Sequence, residues 1–390
     1  MVNPLAVRIE SLFREKFGAR QDRLMVRSPG RVNLIGEHTD YNEGFVLPAS
    51  VDKAMVFVAA PRNDDKLHFI ASDLDADFTG SVGSIHKSEQ GWPNYLLGVI
   101  DELTKSGKTV SGCDVVFGSD IPIGAGMSSS AAVECGFAFA LNELFHLNLG
   151  KLDLVKLGQK AENHFVGVQC GIMDQFVNIF GQDRKVLKID CRTLDFEYFP
   201  FERPDLNIVL CETESKRSLA SSEYNVRRQQ CEAGVKILQR HRNDVASLRD
   251  VTSVFLSEHR SEIEPVIYRR CEYVVQENER VLAACEALQG NDFRRFGEKM
   301  YQSHEGLSRG YEVSSPDLDF LVETASSMKG VLGARMMGAG FGGCTINLVE
   351  QAHVESFVDE MQESYRRRTG KPNNVYVTRI ESGTCLIPMP

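Results

Sequence analysis

The sequence predicts an α+β protein in two domains with a helix-rich second half. Three observations lead there. Short β-branched or alternating runs separated by turn residues recur through the first half of the chain. Longer stretches with apolar residues at helical spacing alternate with them, and between residues 240 and 329 the chain reads as almost continuously helical. The 390 residues, 42% hydrophobic and 25% charged, suffice for two domains around separate cores.

In chain order, "MVNPLAVRIESLFREKFG" reads as an amphipathic helix. Arg8, Glu10, Arg14 and Glu15 interrupt its apolar residues, unlike the apolar core of a secretion signal. Strands follow over 23–26, 31–35, 54–59 and 68–71, then a helix over 94–104 and a strand over 114–117. Residues 130–145 form a helix apolar nearly all round, hence buried. A helix over 153–165 puts Leu154, Leu157, Ala161 and Phe165 on one face. Strands at 186–190 and 207–211 precede a helix over 222–240. "EYVVQENERVLAACEALQ" carries a further helical stripe that ends at the turn signal "QGND". A strand over 345–349, a helix over 352–368 and a strand over 374–378 complete the chain. Prolines in "FPFERPD" place the division at 199–205, giving domains 1–200 and 201–390.

The formal charge, 44 − 54 = −10, leaves no electrostatic footprint for nucleic acid or an anionic membrane. No apolar run is long enough to span a bilayer. Ten cysteines without a CxxC pair suggest neither a cysteine zinc site nor a disulfide framework, so the reducing cytosol is the expected compartment.

Four stretches carry chemistry. In "GRVNLIGEHTDYNEG" an apolar run, Val32 to Ile35, passes into Glu37, His38 and Asp40, an array suited either to a metal or to hydroxyl groups. In "PIGAGMSSSAAVECGFAFALNELF", Gly124 and Gly126 permit a tight loop, and three serines lead into the apolar helix. Such a loop offers N–H groups and hydroxyls to a phosphate; a glycine turn with serine caps explains it as well. The Walker pattern is absent. In "GQKAENHFVGVQCGIMDQFVNIFG", Glu162 lies on an amphipathic helix and Asp174 within an apolar run. A carboxylate there is a core salt-bridge partner, a helix N-terminal acid, or a base with a metal ligand nearby. "RMMGAGFGGCTINLV" feeds a strand, so it is a turn or a site of close backbone approach, not a dinucleotide fingerprint.

Together these stretches resemble the GHMP kinases, and the first resembles the N-terminal signature of the galactokinases. "PIGAGMSSSAA" is similar to the ATP-phosphate loop, "MMGAGFGGC" to the third motif, and "CGIMDQF" and "SKRSLASSEYNVRRQQC" to further galactokinase segments. Met127, Met337 and Ala339 stand where the family usually has Leu, Thr and Gly. The resemblance implies an N-terminal α/β domain with a ribosomal-protein-like βαβ arrangement and a ferredoxin-like α+β C-terminal domain. It also implies ATP-dependent phosphorylation of galactose at its anomeric hydroxyl, with Mg²⁺. On this reading Glu37, His38, Thr39, Asp40, Gly171 and Tyr224 bind the sugar. Asp174 is the base, and Arg31 beside it keeps the carboxylate ionised and offsets developing charge. Gly124, Ala125, Gly126, Met127, Ser128, Ser129 and Ser130 hold the ATP phosphates, and Ser130 and Glu162 hold the metal. Trp92, Tyr95 and Ser72 lie on the adenine side. Two alternatives stand beside it: another kinase of the superfamily, acting on N-acetylgalactosamine, arabinose or mevalonate, or a non-catalytic galactose and ATP sensor. The unbroken "GMSSSAA" with Arg31, Glu162 and Asp174 favours catalysis. A monomer is the working expectation.

Overall fold

The computed structural model describes residues 3–122, 124–213 and 220–390, with side chains in the last stretch from residue 223. Ile123 of the serine loop and residues 215–219 of the "SKRSLASSEYNVRRQQC" segment lie outside the described residues.

The amphipathic helix Pro4–Phe17 is capped by the Asn3 side chain and buries Ala6, Ile9 and Phe13. Eight strands follow: β1 (Leu24–Asn33), β2 (Phe45–Val46), β3 (Pro48–Pro61), β4 (Lys66–Ala71), β5 (Ala76–Ser81), β6 (Cys113–Ser119), β7 (Lys185–Asp190) and β8 (Phe196–Pro200). The strands expected at 23–26 and 31–35 are one strand, β1, whose pairing with β3 shifts register between Pro29 and Arg31. The strand stops at Asn33, so Leu34 and Ile35, though fully buried, belong to the loop that follows.

Five further strands lie in the second half: β9 (Leu206–Glu212), β10 (Val331–Met337), β11 (Cys344–Glu350), β12 (Val375–Thr378) and β13 (Cys385–Leu386). The largest sheet has the order β13-β1-β3-β6-β4-β5, so the chain's last strand returns to the first strand's edge. Within it β4 and β6 are parallel, and the chain between them runs through β5, antiparallel to β4, and the helix Pro93–Lys105. Strands β2, β7 and β8 form a small antiparallel sheet.

The second-half sheet, β10-β11-β9-β12, is antiparallel. Numbered along the chain it reads 2-3-1-4, with the helix Val354–Thr369 before the last strand; that is the ferredoxin-like arrangement. The helices Ala220–Leu238, Ser253–Glu258, Pro265–Gln289, Phe293–Glu305 and Pro316–Ser327 fill its first crossover, as the continuous helical reading expects. Strands β2, β5, β8, β10 and β13 and the eight-residue helix Met173–Phe180 are elements the sequence reading missed.

Candidate active site

The buried helix Ser129–Leu144 starts where two glycines with positive φ, Gly124 and Gly126, turn the chain. Ser128 occupies the cap position, yet its hydroxyl does not cap the helix; it donates to Asp174 Oδ2. That answers the serine-cap alternative: the hydroxyl is spent on a carboxylate across the site.

Asp174 sits in the first turn of the helix Met173–Phe180. Arg31, just past the β1 irregularity, grips it with two parallel hydrogen bonds, Nε to Oδ1 and Nη2 to Oδ2, each 2.7 Å. Both side chains are partly covered, at 11% and 26% exposure, so the pair is screened less than a surface bridge. Arg31 Nη1 also donates to the Gly126 carbonyl, tying the pair to the serine loop.

The segment after β1 is held from the C-terminal half. Gly36 has φ +94°, and a Cβ there would lie 2.7 Å from the Phe45 carbonyl oxygen; its N–H donates to Glu277 Oε1 at 2.9 Å. Arg335, fully buried in β10, donates to the Leu34 carbonyl at 2.7 Å, to the Asn33 carbonyl, and to Glu37 Oε1 at 2.9 Å. The N–H of Gly338 reaches the same Glu37 oxygen at 2.8 Å. The third glycine run is thus the β10–β11 hairpin loop, one turn of which closes over Glu37. Met337 is buried in the core and Ala339 lines the cavity.

His38 adopts φ +61°, uncommon for a non-glycine residue and a mark of a functional turn. Its Nδ1 pairs with the Tyr41 hydroxyl at 2.9 Å, which continues to Tyr311 at 2.7 Å and Cys231 at 3.2 Å. Among the described residues the buried Nε2 has no hydrogen-bond partner. Burial pushes the imidazole pKa down to about 3, so the ring is neutral. Asp40 is pushed up to about 6: burial dominates, a backbone bond from Tyr41 opposes it, and the Glu37 and Asp174 charges add to it.

These groups enclose a cavity of about 220 Å³, lined by Arg31, Glu37, His38, Asp40, Gly171, Asp174, Tyr224, Gly338 and Ala339 among others. A Cβ on Gly171 would lie 2.3 Å from Asp40 Oδ2, so only glycine lets the two walls meet. Tyr224 packs its ring on His38 and Tyr41, at 5.6 and 5.0 Å. Thr39 is the exception among the expected sugar residues. It is fully buried outside the cavity lining, with its hydroxyl 2.9 Å from the Gly36 carbonyl and 2.6 Å from that of Phe45, because the turn's own carbonyls need a donor.

On the other side of the serine loop lies a second cavity of about 300 Å³, walled by Met55, Leu74, Trp92, Tyr95, Phe117, Ile121 and Val133, with Ser129 and Ser130 at its edge. Ser72 is flanked by the lining residues Ala71 and Asp73 but is not itself in the wall; its hydroxyl donates to Asp73 at 3.3 Å. Ala125 and Met127 are buried, so that loop presents backbone there.

Glu162 lies where the helix Lys151–Lys160 widens into the π turn Ala161–Val166. Gln175 donates to its Oε2 at 2.9 Å and the Cys170 thiol at 3.2 Å. Burial raises its pKa, against hydrogen bonds from Cys170 and Ser130. Beside it Glu134, wholly buried, is raised further by burial and then by the Glu162 charge, and among the described residues its Oε1 accepts no hydrogen bond. Glu134, Arg335, Glu277 and Tyr41 are site residues that sequence reasoning missed; a lone carboxylate in the otherwise apolar "AAVECGFAFAL" was the one available signal.

A carboxylate clamped by arginine, a polar cavity, a serine loop and an apolar cavity are the parts that the resemblance to the GHMP small-molecule kinases implies. The family models agree: GHMP kinases N terminal domain matches residues 94–182, GHMP kinases C terminal residues 283–367, and the galactokinase galactose-binding signature residues 11–61. A galactokinase of Roseiflexus sp. is 44% identical over 371 residues, covering 95% of this chain and 94% of its own. One of Clostridium acetobutylicum is 41% identical, covering 91% and 92%. The Lactococcus lactis galactokinase complexed with galactose superposes with TM-score 0.92 at 36% identity, covering 99% of this chain and all of that one. A Methanococcus jannaschii mevalonate kinase, 18% identical and covering 93% of this chain and all of its own, shares the fold with TM-score 0.67. The chain belongs to the galactokinase family, and as a kinase of that family it takes ATP as co-substrate.

Proposed function

We propose that this chain transfers the γ-phosphoryl group of ATP to the anomeric hydroxyl of D-galactose, giving galactose 1-phosphate and ADP. The observation that carries the reading is the Arg31–Asp174 clamp, which joins the polar cavity to the serine loop. Glu37, His38, Asp40 and Tyr224 read the sugar hydroxyls, since fixed acceptors and a neutral imidazole reject a wrongly oriented hydroxyl by leaving a buried group unpaired. Asp174 accepts the anomeric proton as the sugar oxygen attacks. Arg31 holds that carboxylate aimed through two parallel hydrogen bonds, and its charge offsets the negative charge that builds on the transferring group.

The serine loop takes the phosphates, and the apolar cavity takes the adenine between Trp92 and Tyr95. Ser130 and Glu162 are oxygen donors of the kind Mg²⁺ needs, and a cation there relieves the burial that disfavours the Glu162 carboxylate and the orphaned Glu134 oxygen. When bound, Mg²⁺ neutralises phosphate charge and orients the triphosphate. The division into domains 1–200 and 201–390 is part of the same reading. It is supported by the change from the β7–β8 hairpin to β9 across residues 201–205, with β13 as a return to the first domain.

Coupled ADP release with galactose, glucose, N-acetylgalactosamine and mevalonate tests the proposal. Turnover with galactose above all others is expected. Equal or greater turnover with another acceptor would reassign the substrate, and none with any would favour a sensor.

A further inference from the structure

In the helical part of the second half, three side chains converge that the proposed reaction does not use. His241 lies in the turn after the helix Ala220–Leu238, His259 follows the helix Ser253–Glu258, and Glu262 ends the single turn Arg260–Glu262. The two imidazoles stack with centroids 3.9 Å apart and planes 21° from parallel. Glu262 bridges them: its Oε2 is 2.9 Å from His241 Nε2 and its Oε1 is 3.0 Å from His259 Nδ1. One ligating atom from each residue lies within 4.8 Å of the other two. Phe255 sets its ring edgewise on His259 at 4.9 Å, restricting that imidazole. Arg242, the adjacent cation, is turned aside over Phe255 and paired with Asp244 at 2.9 Å.

We propose that His241, His259 and Glu262 form a surface site for a late-transition divalent cation of the Zn²⁺ class. Two imidazoles and one carboxylate suit Zn²⁺, Co²⁺, Ni²⁺ or Cu²⁺; a hard ion such as Mg²⁺ prefers oxygen alone. Tetrahedral Zn²⁺ with ligands at about 2.0–2.2 Å sets neighbouring donor atoms roughly 3.3 Å apart. The observed 2.9 and 3.0 Å run to the two different oxygens of Glu262, so binding an ion requires one carboxylate oxygen to swing between the histidines and the stacked rings to turn until their in-plane lone pairs converge. Side-chain exposures of 44% for Glu262 and 31% for His241 leave an entry path and a position for water.

Protons balance without a further reactant. On binding, each imidazole presents a lone pair to the ion, from Nε2 in His241 and Nδ1 in His259, and carries its N–H on the other ring nitrogen. Glu262 supplies a carboxylate oxygen as the third ligand. The bound ion would clip the turn after the helix Ala220–Leu238 to the segment 259–262. That helix also carries Tyr224.

The test uses the untagged full chain with Mg²⁺ in large excess and Co²⁺ as probe, read by visible absorption and by equilibrium dialysis. Wild type is expected to bind one equivalent with a tetrahedral ligand-field band. The double variant His241→Ala/His259→Ala should lose it, and Glu262→Gln should weaken it by about 10–100-fold, on the order expected when a metal site loses a supporting group. ATP turnover of these variants should match wild type, which establishes that they fold. Wild type binding no more Co²⁺ than the double variant would overturn the proposal. So would loss of the band in Glu162→Gln but not in the double variant, which would put the ion in the phosphate site.

Discussion

The two cavities that flank the serine loop are built on opposite plans. In the polar one, carboxylates are fixed by partners that cannot drift: Asp174 by Arg31 and Ser128, Glu37 by Arg335 and the Gly338 N–H. In the apolar one, Trp92, Tyr95, Phe117 and Ile121 offer surface with little directed hydrogen bonding. Fixed polar groups discriminate between hydroxyl arrangements, whereas an apolar slot contributes affinity by area removed from water. On the proposed reading, selectivity resides in the first cavity and tolerance in the second.

Four substitutions break or sharpen this contrast. Arg31→Ala removes the charge and the aim of Asp174 together. Turnover should fall by about 10²–10³-fold, the loss typical of one preorganised electrostatic group, with ATP affinity little changed in a binding titration. Glu162→Gln, between the cavities, should raise the Mg²⁺ concentration for half-maximal rate by roughly 10-fold, as for a lost metal contact; an unchanged metal titration would take Glu162 off the ligand set.

Asp40→Asn separates binding from stability. A carboxyl pKa raised to about 6 means the folded chain holds that proton more tightly than the unfolded one. Its stabilising contribution is full below the ordinary value near 4 and is lost as pH rises through about 6. At pH 8 the ionised Asp40 thus burdens the fold, and Asp40→Asn should raise Tm there by the equivalent of about 1–2 kcal/mol, with the gain vanishing near pH 4. Galactose affinity should drop about 10-fold in the same variant, the cost of one mispaired buried group. The smallest effect is expected from Trp92→Phe, which trims apolar area: a KM for ATP raised by a few-fold, about 1 kcal/mol or less, with acceptor preference unchanged.

What the sequence made legible follows from how local each feature is. Arg31, Glu37, His38 and Asp40 fall within ten positions, so one turn brings them together and their polarity after an apolar run announces it. The partners that hold them are remote: Arg335 and Glu277 lie some 240–300 positions away and look, in sequence, like ordinary strand and helix charges. Strand β10 was hidden because it follows a long helical stretch directly, and the helix Met173–Phe180 because eight residues beside glycines carry too little periodicity. Thr39 reads as part of the sugar array by its position, yet turn geometry directs its hydroxyl to backbone carbonyls. The His241, His259 and Glu262 cluster gave no signal because its members only meet when two helical segments pack.

On the proposed reading Asp174 works as a base beside a sugar held by Glu37, His38, Asp40 and Tyr224. Asp174→Asn gives up part of the Arg31 and Ser128 hydrogen bonding but leaves those four residues in place, so calorimetry should return galactose affinity within about 3-fold of wild type while single-turnover phosphoryl transfer falls by about 10²–10⁴-fold. Lost sugar binding with phosphoryl transfer intact would contradict it.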